Sequence, residues 1–173
     1  MFPPRIFRLA VCALVALTLS PVTASADMLE APTGEVILTV SGEIGASNIG
    51  DTAQFDLAML QAMPAMEITT ETIWTPSTHV FTGVPLRDFL DQIGVEGSML
   101  EAQAINDYTV EIPVSDATPQ GPIIAYSMDG APMSRRDKGP LWIIYPYSSG
   151  PEYQTELIYT RSIWQLDRLT VVE

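Results

Sequence analysis

Few side chains in this sequence have the type and spacing to do chemistry. There is a single histidine, His79, in the segment TPSTHVF. One imidazole does not build a zinc or copper site, and no Asp or Glu stands at metal-ligand spacing from it. His79 therefore reads as a solvated or strand-edge residue. No serine lies in a G-x-S-x-G elbow, and Ser148-Ser149-Gly150 follows a strand only loosely. A Ser–His–Asp triad would have to recruit His79, and the spacing offers no support for one. Asp107 and Glu111 fall four apart in NDYTVEIP, which puts both carboxylates on one face of a strand. They are either an acid/base pair or a solvated face, and Asn106-Asp107 serves equally as a turn. The basic cluster Arg135-Arg136-x-Lys138 either takes a phosphate or carboxylate or neutralises acids around an exposed loop. Arg161 and Arg168 are placed to join it in space. Met59, Met63 and Met66 have the helical spacing of core packing rather than of a thioether metal site.

Charge and cysteine usage narrow the classes. The 173 residues carry 8 Lys and Arg against 21 Asp and Glu. Arg5 and Arg8 precede an apolar run from Leu9 to Leu19 and a small-x-small site, Ala24-Ser25-Ala26. This is the pattern of a secretory signal peptide over residues 1–26, with Asp27 as the mature start. The run is short of the ~20 residues a bilayer requires. Cleavage leaves 147 residues with 6 basic and 21 acidic side chains, a charge of −15. The expected protein is periplasmic or secreted, with no membrane insertion once the signal is removed. Such a charge argues against nucleic acid and anionic lipid as partners. The only cysteine, Cys12, lies inside the apolar run, so the mature chain has no thiolate for catalysis, disulfides or metal.

The elements that must position these residues form one α+β domain over 27–173, strand-rich with two or three short helices. Strands are predicted at 35–44, 67–74, 99–105, 108–113, 122–128, 139–146 and 162–172. Asp56 caps a short helix that Pro64 ends. In FTGVPLRDFLDQIG (81–94), Leu86, Phe89, Leu90 and Ile93 make one apolar helix face and Gly94 a natural stop. Asp129-Gly130 is a hairpin signal.

The ordered set FTGVPLRDFLDQIG, NDYTVEIP, MDGAPMSRRDKGPLWIIYP and RSIWQLDRL resembles the oxidoreductase molybdopterin-binding domain. That family includes sulfite oxidases, plant-type nitrate reductases and the periplasmic methionine sulfoxide reductase catalytic subunit. The likeness runs over about residues 66–171 and is greatest to short secreted members that consist of this domain alone. It implies a mixed, strand-rich sulfite-oxidase-type fold around a pterin pocket, with molybdopterin as cofactor. In catalytic members a cysteine thiolate at the end of the strand before the G-V-x-L helix ligates molybdenum. The matching stretch here, Ile68 to Trp74, holds Thr69, Thr70 and Thr72 and no cysteine. A hydroxyl is a hard, weakly acidic donor and a poor substitute for a soft thiolate. Arg161 matches a basic position that often faces the cofactor phosphate.

Two functions are therefore expected to compete. One is a binding, sensing or accessory module without cofactor, with no metal site. The other is an active molybdopterin-dependent oxidoreductase with an unusual ligand sphere. A secreted hydrolase has almost no residue-level support. The expected cleft is lined by Thr70, Thr72, Trp74, Asp107, Arg135, Lys138 and Arg161, and takes a small anionic ligand. A periplasmic protein partner is also expected.

Overall fold

A computed structural model describes residues 29–173. The expected signal segment, with Cys12, lies outside the described residues. Ten strands and three α-helices follow in the order β1 (Val36–Gly42), β2 (Ala53–Asp56), α1 (Leu57–Ala62), β3 (Met66–Thr70), β4 (His79–Pro85), α2 (Leu86–Ile93), β5 (Met99–Ala104), β6 (Thr109–Pro113), β7 (Ile123–Met128), β8 (Ala131–Pro132), β9 (Leu141–Ile144), α3 (Glu156–Arg161) and β10 (Trp164–Val172). The strands join in one mixed sheet of order β2-β1-β10-β9-β7-β4-β3. Strand β5 pairs with both β10 and β6, and β8 pairs with β7. The β1–β10 pair is parallel, and the other pairs between named strands are antiparallel. Among the described residues no helix is long and apolar enough to cross a membrane.

Local chemistry accounts for most boundaries. Asp56 caps α1: its Oδ1 accepts the Met59 N–H at 2.9 Å, and its Oδ2 accepts those of Thr33 and Gly34. These N–H groups, Met59's foremost, hold the Asp56 carboxyl below the ordinary aspartate range. Helix α2 buries Leu86, Phe89, Leu90 and Ile93 and ends at Gly94 in the left-handed region, φ 63°. The face is the one the periodicity indicates, and Phe89 meets Phe55 across it with ring centroids 5.1 Å apart. Asp129 and Gly130 turn β7 into β8 with φ values of 51° and 76°, as a two-residue hairpin requires. At Gly83 the β4 backbone lies so close to Ile124 of β7 that a side chain would collide with it. Met63 is buried, and Met59 and Met66 pack against the core.

Three expectations are corrected. The strand expected over 67–74 ends at Thr70. There the N–H of Glu71 leaves the ladder for Ser148 Oγ at 3.3 Å, so Thr72 and Trp74 stand in a loop. Asp107 and Glu111 do not share a strand face. Asp107 sits in the β5–β6 turn with φ 67°, and β6 begins only at Thr109. Helix α3 falls in a stretch read without an element. It has only six residues, and its one sequence cue is Thr155, whose hydroxyl accepts the Ile158 N–H at 3.3 Å.

Candidate binding cleft

The loop from Glu71 to Thr78 is tied to itself by side chains. Thr72 Oγ1 accepts the Trp74 N–H at 3.1 Å and shares a hydrogen bond with Thr75 Oγ1 at 2.8 Å. Thr78 Oγ1 donates to Glu71 Oε1 at 3.1 Å. This folding aims the Trp74 indole at the aromatic side of the sheet. Its centroid lies 5.4 Å from Trp164, 5.8 Å from Trp142 and 5.8 Å from Tyr159, all edge to face. The four rings come from the loop, β10, β9 and α3, and edge-to-face contact is the geometry that ring quadrupoles favour.

Ser162 locks the floor. Its backbone carbonyl accepts Trp142 Nε1–H at 3.1 Å, while its hydroxyl accepts from Tyr147 at 2.6 Å and donates to the Ile158 carbonyl at 2.7 Å. Burial raises the Tyr147 phenol far above its ordinary range, so it stays a donor. Over this floor opens a cleft of about 420 Å³ whose walls include Trp74, Asn106, Tyr108, Tyr159 and Trp164. That volume is in the usual range for small-molecule sites, and mostly apolar walls with few polar groups are usual too.

Lys138 stands at the Trp164 wall. Its Nζ lies 4.4 Å from the Trp164 ring centroid and 5.4 Å from that of Trp142, within cation–π range. The position is set by a kink in β10. Gln165 has φ 53°, its N–H donates to the Lys138 carbonyl at 3.0 Å, and its Nε2 donates to the Arg135 carbonyl at 2.7 Å. Lys138 forms no ion pair among the described residues.

Of the sequence candidates only Trp74 lines this cleft; Lys138 stands against the Trp164 ring without lining it, and the others lie elsewhere. Arg135 pairs with Glu35 at 2.8 Å on an exposed surface. Arg161 Nη1 spans both Asp116 oxygens, at 2.9 and 3.2 Å, with each side chain 17% exposed. Tyr145 donates to the same carboxylate at 2.8 Å. Asp107 binds Arg168 at 2.9 Å, and its neighbours Asn106 and Tyr108 line the cleft. The single basic group expected around Arg135, Lys138 and Arg161 is thus dispersed, and its arginines meet carboxylates of the chain itself. Thr70 is fully buried at the end of β3. Its hydroxyl shares a hydrogen bond with Ser148 Oγ at 2.9 Å, accepts the Ser148 N–H at 3.0 Å and donates to the Glu71 carbonyl at 3.1 Å. Thr72 lines a smaller hollow with Tyr147 and Ser148.

Sequence reasoning missed Tyr108, Tyr159 and Trp164 as cleft residues. For Tyr159 and Trp164 the cue was the aromatic content of 142–164, and Tyr108 had none beyond its own ring. Single aromatics in strands or short helices more often mark core, and only tertiary pairing shows which four rings converge.

Comparison with known proteins agrees with this architecture. The SoxCD sulfane dehydrogenase of Paracoccus pantotrophus, a crystal structure, is similar in fold with a TM-score of 0.56 and 16% sequence identity. The likeness covers 78% of this chain but 37% of that one, so the chain spans little more than a third of that protein's length. A search of curated proteins finds no match. Residues 38–154 match the oxidoreductase molybdopterin binding domain, and a match over that much of the sequence makes this chain a member of that family.

Proposed function

We propose that this domain is an exported binding module. It holds a small, flat, largely apolar molecule with one anionic group in the aromatic cleft, without a thiolate-held molybdenum. The observation that carries the reading is the state of Thr70. Thr70, at the end of β3 and within the stretch 68–74 where the family resemblance places the metal-ligating thiolate, is a hydroxyl already engaged three times within the chain. To serve as a metal ligand it would have to abandon these bonds and ionise against an alcohol's high pKa. Among the described residues no cluster of three His, Cys, Asp or Glu is placed to hold a metal. Arg161, the candidate for a cofactor phosphate, is held by Asp116. The donor set does not fit a molybdenum cofactor bound in the thiolate manner, and no redox step is assigned to it.

The cleft supplies a different chemistry. Trp74, Tyr159 and Trp164 offer ring faces and edges for a planar apolar body. Lys138 is the cation beside them without an internal carboxylate, and a cation partly desolvated by two indoles gains from meeting an anion. The probe that matches this description is 8-anilino-1-naphthalenesulfonate. It is expected to bind the folded protein at one site per chain and to quench indole emission. Lys138→Gln should weaken that binding roughly tenfold or more. Binding unchanged by both Lys138→Gln and Trp164→Leu would place the probe elsewhere and defeat the proposal. A periplasmic protein partner that receives or delivers the ligand belongs to the same reading.

A further inference from the structure

Outside the cleft, the loop that carries Trp74 also carries Ser77, and the chain lines up a serine, a histidine and an aspartate there. Ser77 Oγ lies 3.2 Å from His79 Nε2, and His79 Nδ1 lies 2.7 Å from Asp129 Oδ2. The spacing Ser-x-His brings the first pair together at the entrance of β4. The third member arrives through the β7–β8 turn, 50 residues on, which explains why the sequence did not show it. Asp129 is well fixed. Its Oδ1 accepts the Val80 N–H at 3.0 Å, and its own N–H donates to the Val80 carbonyl at 2.8 Å. The Val80 N–H, and then His79, keep the carboxyl below the ordinary aspartate range, so it is ionised at neutral pH. An ionised Asp129 at Nδ1 selects the tautomer with its proton on Nδ1, leaving Nε2 as the acceptor that faces Ser77. The His79 side chain is only 17% exposed while Ser77 is exposed. The base is therefore held and the nucleophile is reachable. The backbone N–H groups of Ser77 and Thr78 make no backbone hydrogen bond among the described residues.

We propose that Ser77 is a nucleophilic serine, with His79 as its general base and Asp129 as the positioning residue, acting on small esters of acidic alcohols. Ser77 is open to solvent, so a small ester reaches it unhindered, and an acidic alcohol leaves without strong protonation. Ser77 Oγ attacks the ester carbonyl carbon while its proton passes to His79 Nε2. The new Oγ–C bond forms, the C–O bond to the alcohol breaks, and the alkoxide takes the proton from Nε2, directly or through solvent, so that His79 is again a free base. Water then attacks the acyl carbon, gives a proton to Nε2, and Ser77 recovers a proton as the C–Oγ bond breaks.

The test uses p-nitrophenyl acetate and the exported chain, with peptide mapping of the acetylated residue. Acetyl on Ser77 is expected. The acylation rate should fall by about 100-fold or more in His79→Gln, the size usual for a lost general base. Asp129→Asn should slow acylation less, and its thermal midpoint is to be compared with that of His79→Gln, since a purely structural turn would lower the midpoint without changing the rate. Acetyl found on other residues, or acylation equally fast in His79→Gln, would overturn the proposal. The mapping on unaltered protein decides the question even where a variant fails to fold.

Discussion

Thr70 and Ser148, 78 residues apart, join the end of β3 to the 3-10 turn after β9 by a shared hydroxyl hydrogen bond of 2.9 Å and a second bond from the Ser148 N–H to Thr70 Oγ1 at 3.0 Å. The same serine takes the Glu71 N–H. Thr70 is here a structural clasp. It stops β3 and starts the loop that delivers both Trp74 and Ser77.

The clasp has a measurable worth. Thr70→Val keeps the shape and removes the hydroxyl, and with it the bonds to Ser148 and to the Glu71 carbonyl. The expected loss is about 1–3 kcal/mol of unfolding free energy. It would be read as a lower denaturant midpoint at unchanged slope. A midpoint equal to that of the unaltered protein would show that the clasp contributes nothing.

Asp56 makes stability depend on acid. Its folded pKa lies below its unfolded value, so its contribution is present above about pH 4 and is lost as pH falls through the lowered folded value. Asp56→Asn cannot ionise and should be less stable than the unaltered chain at neutral pH. The gap should close as pH is taken from about 5 toward 2. Midpoints measured across that range check the sign, and a gap that widens toward acid would contradict the capping role of Asp56.

Arg161 separates a structural from a binding role. Its guanidinium is mostly buried on Asp116, with Tyr145 on the same carboxylate and its Nε buried without an acceptor among the described residues. Burial and then Asp116 raise the Tyr145 phenol far above its ordinary range, so it stays a neutral donor to Asp116. Arg161→Ala should therefore cost about 1.5–3 kcal/mol of stability, the worth of hydrogen bonds to a charged group. Probe affinity in the cleft should be unchanged at temperatures where the variant is folded. A loss of affinity with full stability would instead return Arg161 to the ligand site.

These particulars also mark what was legible in the sequence. Helix α2 could be read residue by residue, because four apolar positions at helical spacing and a terminal glycine act locally. The Asp129-Gly130 hairpin was legible for the same reason. The β3 boundary was not, because the group that ends the strand, Ser148, is far away in sequence and has no local signature. The arginines were legible as a cluster but not as pairs. Asp116, Glu35 and Asp107 reach them only through the folded sheet, and among 21 acids no spacing picks them out. The same limit hid Asp129 from His79.

The decisive quantity is molybdenum per chain. Protein exported and purified from the periplasm of a host that makes the cofactor would be analysed by plasma mass spectrometry, beside a thiolate-bearing member of the family treated identically. The expected result is molybdenum far below one equivalent per chain in this protein while the comparison protein is loaded. Molybdenum near one equivalent per chain would contradict a binding module built around Thr70 and the aromatic cleft.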